Sequence, residues 1–433
     1  MPSPDPTLII GGGIAGLICA RELARAGHAF VLYERQSEVG GRVRTTVRDG
    51  FRLDHGFQVL FTAYPTLTAA LDLPALRLRA FRPAAVMAAG DRHPAVIGDG
   101  LVDFSLLWPS LVAPQLSLFD KLRLLRLRQF AASMPFDECF APQFDRLSTR
   151  EFLRQRGFTA GAISNFFAPF YGGILLDRSL ETSASVLLYT FKMLAEGRTV
   201  VPADGMGAIP AQLAAQLPAG CVHTGTAVQR LVIDAGVLQG VMLDDGSMVR
   251  ASQVVLACDP PTIATLAATA GVHVDAPEAS LGCTTVYVRS RAPLLDGDAL
   301  WLNTRSDATV SHAITISNVA PSYAPVGAAL TAATVLGAAA TLDDDDVVRR
   351  VRADLARMHS PSEAASAELL AVWRVPYSQY AQPPGSSGRR VAADSGLRGL
   401  VLASEMGHTS SLEGAARGGV MAAKTVLRGQ VEA

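Results

Sequence analysis

No sign of charge dominates this chain: 39 acidic residues stand against 38 basic ones, and no block of lysines or arginines breaks the balance. A protein that gripped nucleic acid by releasing counterions would need a basic excess, so no nucleic-acid partner is expected. Cysteine is sparse and scattered. Cys19, Cys139, Cys221, Cys258 and Cys283 form no C-x-x-C pair and no metal-like spacing, which leaves a reduced, cytoplasmic protein as the simplest reading. Long apolar runs are missing as well. The nearest, residues 101–118, is broken by Asp103, Pro109 and Pro114, which excludes a spanning helix there. The apolar residues 8–20 follow MPSPDPT, which has no basic residue, and they hold four glycines, so a secretory leader is not expected. Apolar bulk is plentiful, at 49% hydrophobic residues. Over this length it fits about two or three domains and either a large core or a greasy substrate.

The informative stretch is residues 7–34, TLIIGGGIAGLICARELARAGHAFVLYE. Thr7 to Ile10 is a short apolar run of β type, and Gly11, Gly13 and Gly16 follow in the G-x-G-x-x-G register. The first glycine allows a tight turn out of the strand, the second gives backbone amides room against a pyrophosphate, and the third lets the helix pack closely on the sheet. Leu17, Ala20, Leu23 and Ala24 recur at helical spacing, and Gly27 stands where a helix should stop before an apolar strand from Phe30 to Tyr33. Glu34 ends that strand about 20 residues after the first glycine, the distance at which an acid grips an adenosine ribose. Together these predict a dinucleotide site with the phosphates at the helix amino end. No second fingerprint occurs in strand, turn and helix context, so a separate nicotinamide site is not expected.

Residues 36–60, QSEVGGRVRTTVRDGFRLDHGFQVL, offer a second close backbone approach at Gly40 and Gly41, with Arg42 and Arg44 as charge for phosphate. The RDG before the alternating run Phe51 to Leu53 also reads as a hairpin turn. Taken with GGGIAGL, Glu34 and EVGGRVRT, the segment GFRLDHGFQV resembles the opening of the flavin-containing amine oxidoreductase superfamily, which includes amine oxidases, protoporphyrinogen oxidases and phytoene-desaturase-like enzymes. Near the carboxyl end, LRGLVLASEMGHTSSLEGAARGGVMAAKTVL is similar to the family's closing segment: a strand, an acid at Glu405, a Ser-rich turn and a helix of small residues, with Ser404 where glycine is common.

The resemblance implies FAD and an α/β architecture. A discontinuous Rossmann-like FAD-binding domain would comprise residues 1–75, 201–270 and 386–433, with an inserted α+β substrate-binding domain in 76–200 and 271–385. Residues 75–200, rich in Leu, Arg and Phe, read as mainly helical. Implied cofactor contacts fall on Gly11, Gly13, Ile14, Ala15, Gly16, Glu34 and Arg35, then on Gly40, Gly41, Arg42, Gly56, Phe57 and Gln58. Val228 would reach the adenine through its backbone. In the family the acid matching Glu405 grips the flavin ribityl or phosphate, and the helix start matching Ser411 and Leu412 points at the N1 and C2 carbonyl edge. NFFAPFYGGILLDRSLETSAS resembles the aromatic-glycine segment lining the substrate cavity, which makes Phe166, Phe167, Phe170 and Tyr171 candidate walls, with plain core packing as the alternative. AVWRVPYSQYAQPPG is similar to the stretch passing beneath the flavin in protoporphyrinogen-oxidase-like members, so Tyr377, Gln379 and Tyr380 are candidates beside the ring. His55 and His408 fall in flavin-facing segments. The candidate catalytic set is Tyr377, Gln379 and His55, although a histidine so placed also serves as a structural hydrogen-bonder.

The implied chemistry is hydride transfer from a substrate carbon to flavin N5, with oxygen or a quinone as electron acceptor unless the net reaction is redox-neutral. Lysine is nearly absent: Lys121, Lys192 and Lys424 are the only three, and none lies in residues 281–290, where amine oxidases of the family commonly carry a flavin-side lysine. This favours an apolar, conjugated or prenyl-type substrate. A flavin amine oxidase and a non-catalytic FAD- or lipid-binding protein are the competing readings. FDKLRLLRLRQFAA sets Lys121, Arg123, Arg126 and Arg128 among leucines, which invites peripheral membrane contact and membrane association of a cytoplasmic protein. At about 100° per residue neither set gathers on one face, so a packed helix is the expected form. Asp343 to Asp346 open a helix striped with Val347, Val351, Leu355 and Met358, where the helix dipole accounts for the acids without a metal. Cys258 reads as a small packing residue. No motif sets the oligomeric state.

Overall fold

Thr7–Ile10 is apolar and buried throughout, as the central strand of a parallel sheet covered on both faces must be. The computed structural model describes residues 5–90, 94–277, 279–359 and 361–429, and places this strand in the middle of five. Phe30–Glu34 and then Val222–Thr224 lie on one side, Val254–Leu256 and then Leu400–Leu402 on the other, all parallel. The sheet is thus assembled from the start, the middle and the end of the sequence. Helix Ile14–Arg25 buries Leu17, Ile18 and Leu23 and gives way to Gly27 at φ 70°. Against it lies the last helix, Leu412–Gly429. A Cβ on Gly419 would stand 2.4 Å from the Ala15 carbonyl oxygen, so the small residues there are a steric requirement. Ser404, at φ −146° and ψ 154°, is ordinary extended backbone and needs no glycine.

Val228–Asp234, Val237–Leu243 and Met248–Arg250 form the expected short strands as a separate antiparallel sheet. The second large sheet has seven strands in the order Glu368–Tyr380, Ser280–Ser290, Ala329–Leu336, Val310–Thr315, Leu300–Asn303, Ala84–Ala88, Ala95–Gly98. The last two correct the helical reading of residues 75–200. Ala84–Ala88 joins the sheet by a parallel pairing with Leu300–Asn303, a partner too distant in sequence to leave a local signal, and Ala95–Gly98 pairs antiparallel with Ala84–Ala88 at the edge; alanine has little β preference of its own. Beyond them the chain is largely helical as far as Glu196, through Leu118–Ser133, Thr149–Gln155, Ala168–Leu175 and Ala184–Glu196.

Helix Leu118–Ser133 forms and packs on one side, as expected, with Leu124 and Phe130 half-buried against the core. It turns Asp120, Leu127 and Ala131 inward and leaves Leu118, Phe119, Leu122 and Leu125 exposed. Helix Asp344–Met358 is capped by Asp343, which accepts from the Asp346 amide, and buries the predicted Val347, Val351, Leu355 and Met358. Among the described residues no cluster of three His, Cys, Asp or Glu side chains is arranged to hold a metal, and no helix is long and apolar enough to cross a membrane.

The hairpin predicted at RDG pairs Thr45–Arg48 with Phe51–Asp54 through Asp49 and Gly50, both at positive φ (52° and 80°). It ends on Asp54, a buried carboxylate that joins three parts of the chain. Thr45 Oγ1 donates to it at 2.5 Å, the Met206 amide at 2.9 Å and Tyr323 Oη at 2.8 Å, while Tyr287 Oη donates to its backbone carbonyl at 3.0 Å. Burial outweighs these bonds and pushes the carboxyl from 3.8 up to about 6. The folded state then holds this proton more tightly than the unfolded chain, so the group's contribution is fully present below about pH 4 and is lost as pH rises through 6.

Two stability measurements check these points. Gly419→Val should cost about 1–3 kcal/mol or more in urea unfolding, since the added carbons meet backbone that cannot yield. The stability difference between Asp54→Asn and the parent should move in the variant's favour between pH 4 and 6 by up to about 3 kcal/mol. A difference independent of pH across that interval would show that Asp54 is ionised and well solvated.

Candidate active site

The fingerprint loop closes as its glycines predict. The Gly11 amide donates to the Tyr33 carbonyl at 2.8 Å with φ at 113°, and a Cβ on Gly16 would fall 2.0 Å from the Gly11 oxygen. Gly13 differs. It precedes helix Ile14–Arg25 without a side-chain cap, and nothing lies within 4 Å of where its Cβ would be. The first and third glycines are packed, and the middle one opens onto free space at a helix amino end, with Ile14 and Ala15 behind it. Buried Glu34 braces the loop: its carboxylate accepts from the Gly12 amide at 2.7 Å and the Gln36 amide at 2.8 Å. Arg35 is exposed beside it. The Thr226 amide donates to the Glu34 carbonyl at 3.0 Å, which brings the start of Val228–Asp234, and so Val228, to the same end.

The Gly-Gly turn folds onto this loop. The Gly40 amide donates to the Gly12 carbonyl at 2.8 Å, and Gly41 stands against the Gly13 Cα. Arg42 then reaches across the molecule to Glu405 at 2.5 Å and to the Ser378 carbonyl at 3.0 Å. Glu405 is buried, and Arg42 is partly exposed with its guanidinium 5.7 Å over the Tyr377 ring. Ser411 caps helix Leu412–Gly429 by accepting from the Gly414 amide at 3.0 Å. The amides of Leu412 and Glu413 have no protein acceptor among the described residues. Gln58 donates to the Arg42 and His55 carbonyls, at 2.8 and 3.2 Å. Its Oε1, Arg44 Nε and Tyr377 Oη are buried without protein partners.

Beyond Arg42 the chain enters an apolar region. Gly56 sits beside Val375 and Cys283, and the Phe57 amide donates to Thr285 Oγ1 at 3.2 Å. Strand register lines up Trp373, Thr285, Thr334, His312 and Leu302 across one row of the seven-stranded sheet. His55 stacks on Trp373 at 4.1 Å and its Nε2 meets Thr46 Oγ1 at 2.8 Å; the Phe57 ring meets His312 at 5.2 Å. Burial first, then Arg44, lowers the His55 pKa, and burial first, then Arg178, pushes His312 down to about 4, so both rings are neutral near pH 7. His408 behaves alike, down to about 4. The row contains no lysine and no carboxylate.

Phe166 and Phe170 stack at 5.8 Å; Phe166, Phe167 and Tyr171 are buried core residues, and Phe170 is half-buried. Gly173, from the same helix as Phe170, abuts His312. Gln379 donates to the Ile174 carbonyl at 3.0 Å, and Tyr380 Oη donates to the Glu405 carbonyl at 3.1 Å. Contacts link Gly12, Gly13, Glu34, Gly40 and Gly41 at one end, Arg42, Ser378, Glu405 and Tyr377 next to them, and Gly56, Phe57, His55 and His312 beyond. Cys258, mostly buried, donates to the Ile10 carbonyl, and burial pushes its thiol up to about 12, which makes it inert.

Three residues here were not foreseen. Buried Gln382 accepts from Thr409 Oγ1 and the Ser410 amide and so fixes the turn before the last helix. Buried Glu413 accepts from the Thr66 and Leu67 amides and from Arg417 Nε, tying that helix to Pro65–Ala69. His312 is the third. The only sequence signal for Glu413 was an acid in a first helical turn; Gln382 and His312 had none, because their partners lie far away in the chain.

The open space at Gly13, the unused amides of Leu412 and Glu413, and the orphaned Arg44, Gln58 and Tyr377 atoms fit a dinucleotide with a polar ring at its far end. Comparison with known proteins agrees. The chain is 43% identical over 60 residues to a 15-cis-phytoene desaturase of Synechococcus elongatus, covering 14% of this chain and 13% of that one. It is 26% identical over 182 residues to a coproporphyrinogen III oxidase of Propionibacterium freudenreichii, covering 40% and 33%. The matches therefore span a minor part of either relative. Its fold superimposes on a crystal structure from Exiguobacterium sp. 255-15, provisionally assigned as a protoporphyrinogen oxidase, with a TM-score of 0.74 over the full length of both chains; at 18% identity this speaks to fold alone. A family model described as flavin containing amine oxidoreductase matches residues 14–427. Rossmann-like FAD-binding domain, separate substrate domain and family match lead to one statement: the chain belongs to the flavin containing amine oxidoreductase family and is an FAD-dependent oxidoreductase.

Proposed function

We propose that this enzyme takes a hydride from an apolar, conjugated or prenyl-type substrate, in the manner of carotenoid desaturases or protoporphyrinogen oxidases, and works in peripheral contact with a membrane. The observation carrying the choice is the sheet row Trp373, Thr285, Thr334, His312 and Leu302, which offers an ammonium group no carboxylate and offers the flavin side no lysine. Oxygen or a quinone is the proposed electron acceptor. The domain limits given above, with the FAD part in residues 1–75, 201–270 and 386–433, belong to the same proposal.

When bound, FAD supplies N5 as the hydride acceptor. The residues supply position and field. Gly13, Ile14 and Ala15 present the helix amino end to the pyrophosphate, Glu34 accepts from ribose hydroxyls, and Arg42 and Glu405 divide phosphate and ribityl between them. The free amides of Leu412 and Glu413, at the positive end of the last helix, stabilise negative charge arriving at that edge. Phe57 and Phe170, the half-buried rings, exclude water and face an apolar substrate. Tyr377, with its unpartnered hydroxyl, is assigned to contact the cofactor. Gln379 and His55 already spend their hydrogen bonds on Ile174 and Thr46 and are assigned positioning roles.

Anaerobic bleaching of the flavin's visible band tests the substrate class. Carotenoid or prenyl lipids in detergent should bleach it and amines should not; bleaching by amines alone would overturn the proposal, and retained flavin that nothing reduces would favour a non-catalytic binding protein. His55→Ala should leave turnover nearly unchanged. A fall of about 100-fold, the scale of a lost general acid or base, would make His55 a participant in the chemistry.

A further inference from the structure

Soluble domains rarely leave a continuous stretch of large apolar side chains in water. This one does so between residues 101 and 125. Phe104 is 79% exposed, Trp108 71%, Phe119 71% and Leu118 60%, and Leu107, Leu111, Leu122 and Leu125 are exposed around them. These are ordered residues on anchored elements. Helix Leu107–Val112 lies beside helix Leu118–Ser133, joined by the Lys121 ammonium, which donates to the Leu111 and Ala113 carbonyls at 2.5 and 2.8 Å. From beneath, Asp120 accepts from the Thr159 amide and hydroxyl at 3.1 and 2.8 Å, and Leu127 and Ala131 are buried. Helical geometry then sends Leu118, Leu122 and Leu125, at i, i+4 and i+7, outward on one stripe, with Phe119 next to it.

The charges around this surface say what covers it. Lys121 has no carboxylate partner, and Arg126 is exposed with no acid against it among the described residues. The acids nearby are already engaged, Asp120 with Arg123, Asp99 with Arg128 and Asp103 with Arg82. A second copy on a two-fold axis would press this surface onto itself and bring Lys121 and Arg126 against their own copies. An anionic bilayer surface answers both features, taking the rings and leucines below its headgroups and the cations among them. We infer that residues 101–126 form a membrane-docking face for anionic phospholipid, with Phe104, Trp108, Leu118 and Phe119 as its inserting side chains. This gives a place to the peripheral contact proposed above and holds whatever the substrate proves to be.

The test uses the FAD-loaded full chain and vesicles of phosphatidylcholine alone or mixed with phosphatidylglycerol. The mixed vesicles should sediment the protein and shift Trp fluorescence to the blue, and high salt should weaken both. The double variant Trp108→Glu, Phe119→Glu should lower vesicle partition at least tenfold while its flavin absorption and thermal midpoint stay at parent values, because both side chains are exposed. Parent protein that ignores the mixed vesicles, or variant protein that still binds them like the parent, would overturn the inference. So would equal binding to phosphatidylcholine alone, or a parent dimer that the variant dissociates without any vesicle binding. No readout involves turnover, so failure of the substrate panel leaves this result standing.

Discussion

The contact between Arg42 and Glu405 holds the active site to its form. Glu405 is buried just beyond the last strand of the parallel sheet, where removing its cation would leave a carboxylate with a large desolvation cost. Arg42 comes from the turn that follows the first two strands. Their pairing offsets the burial of Glu405 and ties the turn after the second strand to the segment after the last one. Around it the backbone is closed by bonds that leave little freedom: Gly40 to Gly12, Gln58 to Arg42, Tyr380 to the Glu405 carbonyl. The cofactor cleft is thus a preorganised charge pair inside a braced loop set, which limits how much must be reordered on binding.

Much of this was legible in the sequence because it is local. Strand, glycine turn, helix, strand and acid lie within residues 7–34, and each step is dictated by neighbours in the chain. The RDG hairpin and the Asp343 cap were legible for the same reason. Features that depend on distant partners were not. Ala84–Ala88 joins the sheet through Leu300–Asn303 and carries Ala95–Gly98 with it at the edge, and Gln382, His312 and Glu413 owe their importance to groups that folding delivers. Helix Leu118–Ser133 resisted the periodicity argument in a different way. Its leucines are divided, Leu127 and half-buried Leu124 toward the core and Leu118, Leu122 and Leu125 toward solvent, and a buried carboxylate, Asp120, shares the inward face, so no single apolar stripe marks which side is packed.

Toward the ring end, the environment discourages charge. His55 and His312 are held neutral by burial, and Asp54, two residues before Gly56, is shifted toward its protonated form by the same cause. Hydride transfer to a flavin moves two electrons and one nucleus together and asks for little from acids and bases. A neutral wall and a positive helix end are consistent with that demand.

The order of strands in the parallel sheet also bears on how the protein is made. Leu400–Leu402 is the sheet's last strand in chain order, yet it covers the edge of Val254–Leu256 and carries Glu405 just beyond it. A chain emerging from the ribosome exposes that edge, and leaves Arg42 without its counterion, until nearly all of the described sequence has been synthesised. An apolar strand edge left open until then is a place where wrong pairing competes with right.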